Sequence, residues 1–423
     1  MVGGKLANAG LRVVVETSAD GALDLVGSRG HEGKIVGICT DTRNAAPEVA
    51  RAGVERAAAA LAALGRRRVF KFVDSSLRGQ VGVELAAVAD TLGARDGLVV
   101  PGTPSAGRSV SGGVVLIEGR PARLSPLLEN EVLARLSSSR VESLFSVPGV
   151  AVARSVPVEE WREDAFWVTA GLRPAAADGP EALSVQVLDA PDAAAFQTVR
   201  RLLETTPRGR RLDLLCGAVG LAEVWAGLLA RKPGGGITAP SECAGSETRD
   251  REYTHGLPVL VVNGSASPAA LQQVDYLARR GVGLTGWPAE VGETSVVTAQ
   301  SVEVLLANLR ESGSAAFTVP SPTTGRVDVA TARRLPGQIA EVVRQLLTSL
   351  AVEGGRCGLV LVGGMTAAAV LDRTGVSRLV PLCEAGFVTL CRIEPTTGPI
   401  GFVALKGGAS GDEAVLERVV RRL

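Results

Sequence analysis

Polar chemistry in this chain is sparse and grouped. KFVDSSLRGQ, Lys71 to Gln80, delivers a lysine, a carboxylate, two hydroxyls and an arginine where a short apolar run ends. TDTRN (Thr40–Asn44) and PGTPSAGRSVSGG (Pro101–Gly113) follow two other apolar runs. Arg43, Lys71, Arg78 and Arg108 can hold a carboxylate, the guanidinium groups by paired N–H donors. Asp74, Ser75 and Ser76 can hydrogen-bond hydroxyls, so the whole set suits a small polyhydroxy acid. Plainer roles compete with this one. Asp74 or Ser75 can cap a following helix, Arg43 and Arg108 can be solvated surface charges, and Lys71 can snorkel past apolar neighbours.

The second half offers a different chemistry. Asn263-Gly264-Ser265-Ala266-Ser267, Gly363-Gly364-Met365-Thr366 and Lys406-Gly407-Gly408-Ala409-Ser410-Gly411 are glycine-rich turns between strand-like and helix-like segments. Backbone N–H groups and aligned peptide dipoles at such turns favour an anion. One turn alone can simply let a helix pack closely, but three in one half, one beginning with a lysine, predict phosphate binding. None is a Walker A loop. GVGLTG (Gly281–Gly286) matches GxGxxG, yet it leaves a helix and enters a strand, the reverse of the dinucleotide fingerprint. Asn263-Gly264-Ser265 has the form of a glycosylation sequon, which carries little weight without a secretion signal.

Positioning these residues falls to alternating elements. LRVVV, KIVGICT, RVFKFVD and GLVVP read as strands, apolar throughout, and Val49–Leu64 and Gly82–Leu92 read as helices. That alternation predicts an α/β fold of two domains, each a mainly parallel sheet with flanking helices and an active site in the interdomain cleft. The three polar loops of the first half then end strands of one sheet and converge at its rim. Arg231–Gly256 loses periodicity and concentrates Gly, Pro, Ser and charge, so it reads as a linker between domains at 1–230 and 257–423. Ser267 is placed to cap a helix with Pro268 at its first position. Ser410 and Glu413 fit a capping box for the final helix.

Composition sets outer bounds. The 423 residues suffice for two domains, and 45 Lys and Arg against 44 Asp and Glu leave no field of one sign to recruit nucleic acid or a membrane. Six cysteines form no CxxC pair, and His31 and His255 lie far from them, which argues against zinc and a disulfide framework. No signal core or spanning apolar run is present, so a cytoplasmic protein is expected.

The motifs resemble those of a known family. KFVDSSLRGQ is similar to the Lys-x-Asp-Ser-Thr-Leu-Arg-Gly motif of the four-carbon acid sugar kinases, once called DUF1537. VLVVNGSASPAALQQV, LVLVGGMTAAAVL and VALKGGASGDEAVLERV resemble the three nucleotide-side motifs of that family, in the same order. The resemblance runs from about Leu11 to the C-terminus. It implies an ATP- and Mg²⁺-dependent kinase that phosphorylates the terminal hydroxyl of threonate, erythronate or a 3-oxo-tetronate, with the acid on the N-terminal domain and ATP on the C-terminal one. By position, Arg43, Lys71, Asp74, Ser75, Ser76, Arg78, Gly107 and Arg108 match the substrate side. Ser265, Ser267, Gly363, Gly364, Met365, Thr366, Lys406, Gly408 and Gly411 match the nucleotide side. Among the residues present, Asp74 is the first choice for the general base. A homodimer is left open.

Two departures stand out. Family members begin with a strand ending Asp-Asp-x-Thr-Gly-Ala, whereas MVGGKLANAGLRVVV resembles the helix that follows that motif. A start placed downstream is the simpler account, and loss of the strand with its carboxylate is the other. Met365 stands where the family's Gly-Gly-(Asp/Glu)-Thr has an acid, and KGGASG replaces Lys-Ser-Gly-Gly-Phe-Gly. A thioether cannot replace a carboxylate in holding Mg²⁺ or a ribose hydroxyl. Two alternatives therefore accompany the kinase: a diverged binding or regulatory protein, and a kinase for an unusual hydroxy acid in specialised metabolism.

Overall fold

The structure, a computed structural model, describes residues 2–26, 31–66, 68–129, 133, 136–152, 155–156, 183–205, 214–230, 256–287, 294–319, 329–395 and 398–423. In chain order the strands are β1 (Val13–Glu16), β2 (Ile35–Ile38), β3 (Val69–Phe72), β4 (Asp96–Val100), β5 (Arg108–Ser111), β6 (Val114–Ile117), β7 (Arg120–Pro121), β8 (Val150–Val152) and β9 (Leu183–Val187). They continue as β10 (Leu214–Gly217), β11 (Val259–Asn263), β12 (Gly283–Gly286), β13 (Ser314–Thr318), β14 (Cys357–Val362), β15 (Arg378–Ala385), β16 (Val388–Glu394) and β17 (Ile400–Lys406).

The fold is α/β in two domains, as expected. One is built on a nine-stranded sheet in the order β12-β13-β11-β14-β17-β16-β15-β1-β2, the other on a five-stranded sheet in the order β3-β10-β4-β9-β8. The five-stranded sheet is parallel throughout, and β12, β13, β11, β14 and β17 are parallel to one another. A small antiparallel sheet, β5-β6-β7, hangs from the loop after β4.

Continuously apolar strands are what a sheet covered on both faces requires. All six residues of β14 are buried. Along β11, Leu260 and Val262 pack into one core and Val259 and Val261 into another, because successive side chains point to opposite faces. A helix at Pro47–Ala63, with Pro47 in its first turn, and another at Val81–Leu92 form from Ala- and Val-rich runs that tolerate one glycine each, Gly53 and Gly82, and Gly93 closes the second in the left-handed conformation.

β1 and β2 complete the sheet of the C-terminal half, with β1 antiparallel to β15 and parallel to β2. The helix Val2–Asn8 rivets them there. Asn8 Nδ2 donates to the Glu384 carbonyl and its Oδ1 accepts from the Glu384 N–H, both at 2.9 Å. Lys5 Nζ lies 3.1 Å from Glu384 Oε1 and 2.9 Å from Glu223 Oε1. Gly4 has no room for a side chain, since a Cβ there would stand 2.7 Å from the Glu384 Cβ.

Two expectations need correction. The loop carrying Arg43 follows β2, in the nine-stranded sheet, while the loops carrying Asp74 and Arg108 follow β3 and β4 in the five-stranded one. The polar loops therefore do not share a sheet. The final helix, Val415–Arg422, has Ala414 at its N-cap and no side-chain cap, so Ser410 and Glu413 form no capping box. Gln273 Nε2 explains the late start: it donates to the carbonyls of Ser410, Gly411 and Asp412 at 3.1, 3.0 and 3.0 Å and holds that stretch as a loop. Ser267 does cap its helix, accepting from the Ala270 N–H at 3.3 Å with Pro268 in the first turn. The linker segment 231–255, including Cys243 and His255, lies outside the described residues.

Candidate active site

β3 delivers Lys71 to an edge strand and then breaks into a tight turn. Asp74 shapes that turn by accepting from the N–H groups of Ser76 at 3.1 Å and Arg78 at 3.4 Å through Oδ2. Leu77 sits there with φ at 57°, in the left-handed region, and is fully buried. The helix begins only at Val81, so neither Asp74 nor Ser75 caps it. Ser76 is buried and Ser75 half-buried.

The cations of this region differ in what they already hold. Arg78 grips Asp74 side-on along one edge, Nε to Oδ2 at 2.9 Å and Nη2 to Oδ1 at 2.8 Å. Lys71 Nζ lies 2.6 Å from Glu84 Oε2 and donates to the Phe72 carbonyl at 2.9 Å. Glu84 is buried, and its Oε1 accepts from Thr42 Oγ1 at 2.7 Å, which in turn lies 2.9 Å from Thr40 Oγ1. Arg108 Nη1 donates to the Ala106 carbonyl, one residue before Gly107, whose φ of 69° closes the short turn Pro104–Ala106. Burial lowers the pKa of Arg108, and the Asp74 carboxylate opposes that shift, which places the two loops within electrostatic reach.

Arg43 arrives from the other sheet. Its Nη1 lies 3.6 Å from Asp74 Oδ1. Gly79 permits the approach: at φ 95° it lies so close that a Cβ would stand 2.9 Å from the Arg43 carbonyl oxygen and 3.2 Å from its Cγ. Burial alone would raise the pKa of Asp74, but Arg78 and Arg43 outweigh it and hold the carboxyl at about 2.

The three glycine turns stack against one another at the ends of β11, β14 and β17, which are adjacent strands. A Cβ on Gly264 would overlap Thr366 Oγ1, and one on Gly408 would overlap Ser265 Oγ and stand 2.7 Å from the Ser265 Cβ. Asn263 is wholly buried: Nδ2 donates to the Ser265 carbonyl at 3.1 Å and to Thr318 Oγ1 at 3.0 Å, while Oδ1 accepts from the Ser265 N–H at 3.1 Å. Ser265 Oγ donates to Ser267 Oγ at 3.2 Å, which donates to the Gly408 carbonyl at 2.9 Å. Gly363, at φ 104°, is the N-cap of the helix Gly364–Arg373. Met365 is half-buried and Thr366 buried within its first turn. Gly411 is also in the left-handed region, with φ at 85°. Lys406 is 3% exposed, with Nζ donating at 2.8 Å to the Gly407 carbonyl and no carboxylate in contact among the described residues. Burial lowers its pKa to about 8.

The two sets meet. Arg43 Nη2 lies 4.0 Å from where a Cβ on Gly364 would stand. Arg43, 3.6 Å from Asp74, is thus also beside one glycine turn, at the first residue of a helix. Sequence reasoning missed Glu84, Thr42, Asn263 as a turn anchor, and Gln273. Only Asn263 carried a local signal, its position at the head of a glycine turn.

Other features fall away from this place. A depression of about 350 Å³ lined by Arg344, Arg373, Glu394 and Ile400 lies at the opposite end of β17 from Lys406. Burial pushes the thiols of Cys216, Cys357 and Cys391 up to about 12, so they stay protonated and structural. Among the described residues, no group of three or more His, Cys, Asp and Glu could hold a metal ion. No described helix is long and apolar enough to cross a membrane.

Residues 1–225 match the family model of a sugar-binding N-terminal domain and residues 260–416 that of a nucleotide-binding C-terminal domain. The chain belongs to the four-carbon acid sugar kinase family. A D-threonate kinase of Cupriavidus necator is 27% identical over 432 residues, covering 97% of this chain and 92% of that protein. A D-erythronate kinase of Heliobacterium modesticaldum is 37% identical over 93 residues, 22% of this chain and 21% of that one. The crystal structure of a Haemophilus influenzae protein of the DUF1537 family superposes with a TM-score of 0.63 at 18% identity, over 98% of this chain and 95% of that one, a likeness of fold.

Proposed function

We propose that this four-carbon acid sugar kinase transfers phosphate from ATP to the terminal hydroxyl of a sugar acid of the threonate, erythronate or 3-oxo-tetronate type. The observation that carries the reading is the meeting of Arg43 with Gly364. An acid-binding set of cations and a phosphate-binding set of backbone turns are useful together only if their ligands touch. The loops of Arg43, Asp74 to Arg78, and Gly107 with Arg108 would hold the acid. The turns bearing Ser265, Ser267, Gly363, Gly364, Thr366, Gly408 and Gly411 would hold the nucleotide, with Lys406 as its buried cation.

The chain's residues fit ATP. Gly264 and Gly408, where a Cβ would overlap Thr366 or Ser265, let the turns close on one another and gather backbone N–H groups suited to phosphate, and a desolvated ammonium with no carboxylate partner among the described residues gains most from a polyanion. For Mg²⁺ the fit is poorer. Met365 offers a thioether where an oxygen is needed, so the ion would be held by the nucleotide's phosphates and water, and no residue is assigned to it.

Asp74 takes an anchoring role here in place of the general base. A carboxylate held at about 2 has little affinity for a proton at neutral pH, and both its oxygens already orient Arg78. Positioning and charge neutralisation are most of what phosphoryl transfer asks of a protein. Relatives named D-threonate kinase over nearly their whole length support D-threonate as the first substrate to try.

The deciding experiment is ADP release by purified protein with ATP, Mg²⁺ and a panel of C4 and C5 sugar acids. Turnover with at least one C4 acid is expected, and no phosphate transfer to any of them sinks the reading. Met365 favours a second reading, a binding protein that keeps the acid site alone. Thermal stabilisation by sugar acids with none by ATP or ADP would select it.

Lys406 yields a pH prediction. Its pKa is depressed, so the charge that attracts phosphate is present below about 8 and lost above it. ADP affinity measured by calorimetry should fall roughly tenfold between about pH 7 and pH 9, since a bound polyanion keeps the ammonium charged. In Lys406→Met that fall should disappear, and an unchanged pH dependence would remove Lys406 from the nucleotide site.

A further inference from the structure

We propose that Arg43 holds the phosphoryl group in transit, and is not merely an anchor for the acid's carboxylate. The proposal rests on the kinase reading above and assigns this residue a catalytic role within it.

The argument begins with commitment. Arg78 spends its Nε–Nη2 edge on Asp74, Lys71 is paired with Glu84, and Arg108 Nη1 is turned to the Ala106 carbonyl. Arg43 lies 3.6 Å from Asp74, too far for a hydrogen bond, and its guanidinium donates no hydrogen bond among the described residues. Its side chain is 37% exposed, against 14% for both Arg78 and Lys71. A guanidinium has five donors in a planar fork, so one edge can rest on the Asp74 side while the other stays open.

Placement decides what the open edge meets. Nη2 lies 4.0 Å from where a Cβ would stand on Gly364, the exposed first residue of the helix Gly364–Arg373. An anion bound at the N–H groups of that first turn would lie within reach of the Nη2 protons, while Asp74, from the five-stranded sheet, lies 3.6 Å from Nη1 of the same guanidinium. The Arg43 backbone is fixed for the purpose, since Gly79 packs against its carbonyl and Cγ. Of the four cations on the acid side, Arg43 is the one the structure places against a glycine turn.

Phosphoryl transfer places its charge where such a residue stands. ATP supplies the group: the bond from the γ-phosphorus to the β,γ-bridging oxygen breaks with its electrons leaving on ADP, the acid's hydroxyl oxygen forms the new P–O bond, and the hydroxyl proton passes to solvent. Arg43 keeps all its protons and donates to the equatorial oxygens as charge spreads over them. An arginine supplied in this way is worth about 10³ to 10⁵ in turnover, whereas one that only anchors a carboxylate appears in acid affinity.

Arg43→Ala and Arg43→Lys separate the two roles. For Arg43→Ala, kcat at saturating acid should fall about a thousandfold, while the dissociation constant of ADP, measured alone by calorimetry, changes less than about fivefold and that of the acid, in whose binding Arg43 shares, rises by about tenfold at most. Guanidinium ion added to Arg43→Ala should restore part of the rate, and the extra affinity of ADP with aluminium fluoride and acid should be lost. Arg43→Lys keeps the charge without the fork and should fall between. A normal kcat with acid affinity weakened about fiftyfold or more would overturn the assignment and leave the kinase reading standing. Wild-type protein without turnover on any acid would overturn both.

Discussion

Asp74→Ala is expected to abolish measurable sugar-acid binding, with a loss of about a hundredfold or more, while ADP affinity stays within about threefold of wild type. The removed carboxylate holds Arg78 through two hydrogen bonds, faces Arg43 at 3.6 Å, and accepts the two backbone N–H groups that shape its turn. Its loss leaves two guanidinium groups repelling each other in a half-buried site. Breaking a buried pair by removing one partner typically costs about 3–5 kcal/mol, and this pair, 14% exposed on each side, lies toward the lower end. Asp74→Asn should keep an acceptor for the turn but lose the charge, and so retain more stability than acid affinity. Calorimetric titration with D-threonate or the best acid of the panel, beside thermal melts, checks both. Equal loss of acid and ADP binding would show that the turn supports the whole fold.

The same group gives a pH signature. The folded pKa of Asp74 is depressed from the ordinary 3.8 to about 2. Its contribution, about 2 kcal/mol by linkage, is therefore fully present above about pH 4 and lost as the pH falls through about 2. Urea unfolding of wild type and Asp74→Asn over that window should show the wild type losing its advantage as acid is added. Parallel curves would contradict the ion-pair assignment.

Gly408→Ala should remove nucleotide binding, by about a hundredfold or more, and lower stability by about 1–3 kcal/mol, the usual cost of overpacking. The added methyl would overlap Ser265 Oγ and stand 2.7 Å from the Ser265 Cβ, and Ser265 is itself tied to Ser267 and to the Asn263 side chain's turn. Relief of the clash is bound to push the turns apart, and the phosphate cradle is made of their mutual positions. The double variant Gly408→Ala, Ser265→Gly removes both clashing atoms. It should recover most of the stability without recovering nucleotide affinity, because Ser265 is also a contact. Additive stability losses would refute the steric account, since residues in contact couple by about 0.5–3 kcal/mol. Sugar-acid affinity, read separately, should be unchanged in both variants.

Several parts of this molecule are decided within a few residues and were legible for that reason. Apolar strands alternating with Ala- and Leu-rich helices announce a covered, mainly parallel sheet, because a strand buried on both faces cannot alternate. Ser267 before Pro268 caps its helix by a bond that spans three positions. The glycines at 264, 363 and 408 and the polar run at Lys71–Arg78 mark by residue type where phosphate and acid chemistry is proposed, and the four motifs in order declared the family.

What the tertiary structure decided depends on partners far apart in sequence. Glu84, not a surface position, neutralises Lys71, and Asp74 takes Arg78, so two of four candidate cations are already occupied. β1 and β2 cross to the C-terminal sheet by pairing of β1 with β15, beside which Lys5 and Asn8 hold Glu384, some 376 residues beyond Asn8. That crossing carries Arg43 away from the sheet of its fellow cations and back to them from the other side, 3.6 Å from Asp74. Gln273 delays the last helix and keeps Ser410 to Asp412 as a loop. A residue's type states which charge it can offer, and local spacing states which element carries it. Whether that charge is spent or free is set by whichever group folding brings beside it, which is why Arg43 became distinct from Arg78 only in three dimensions.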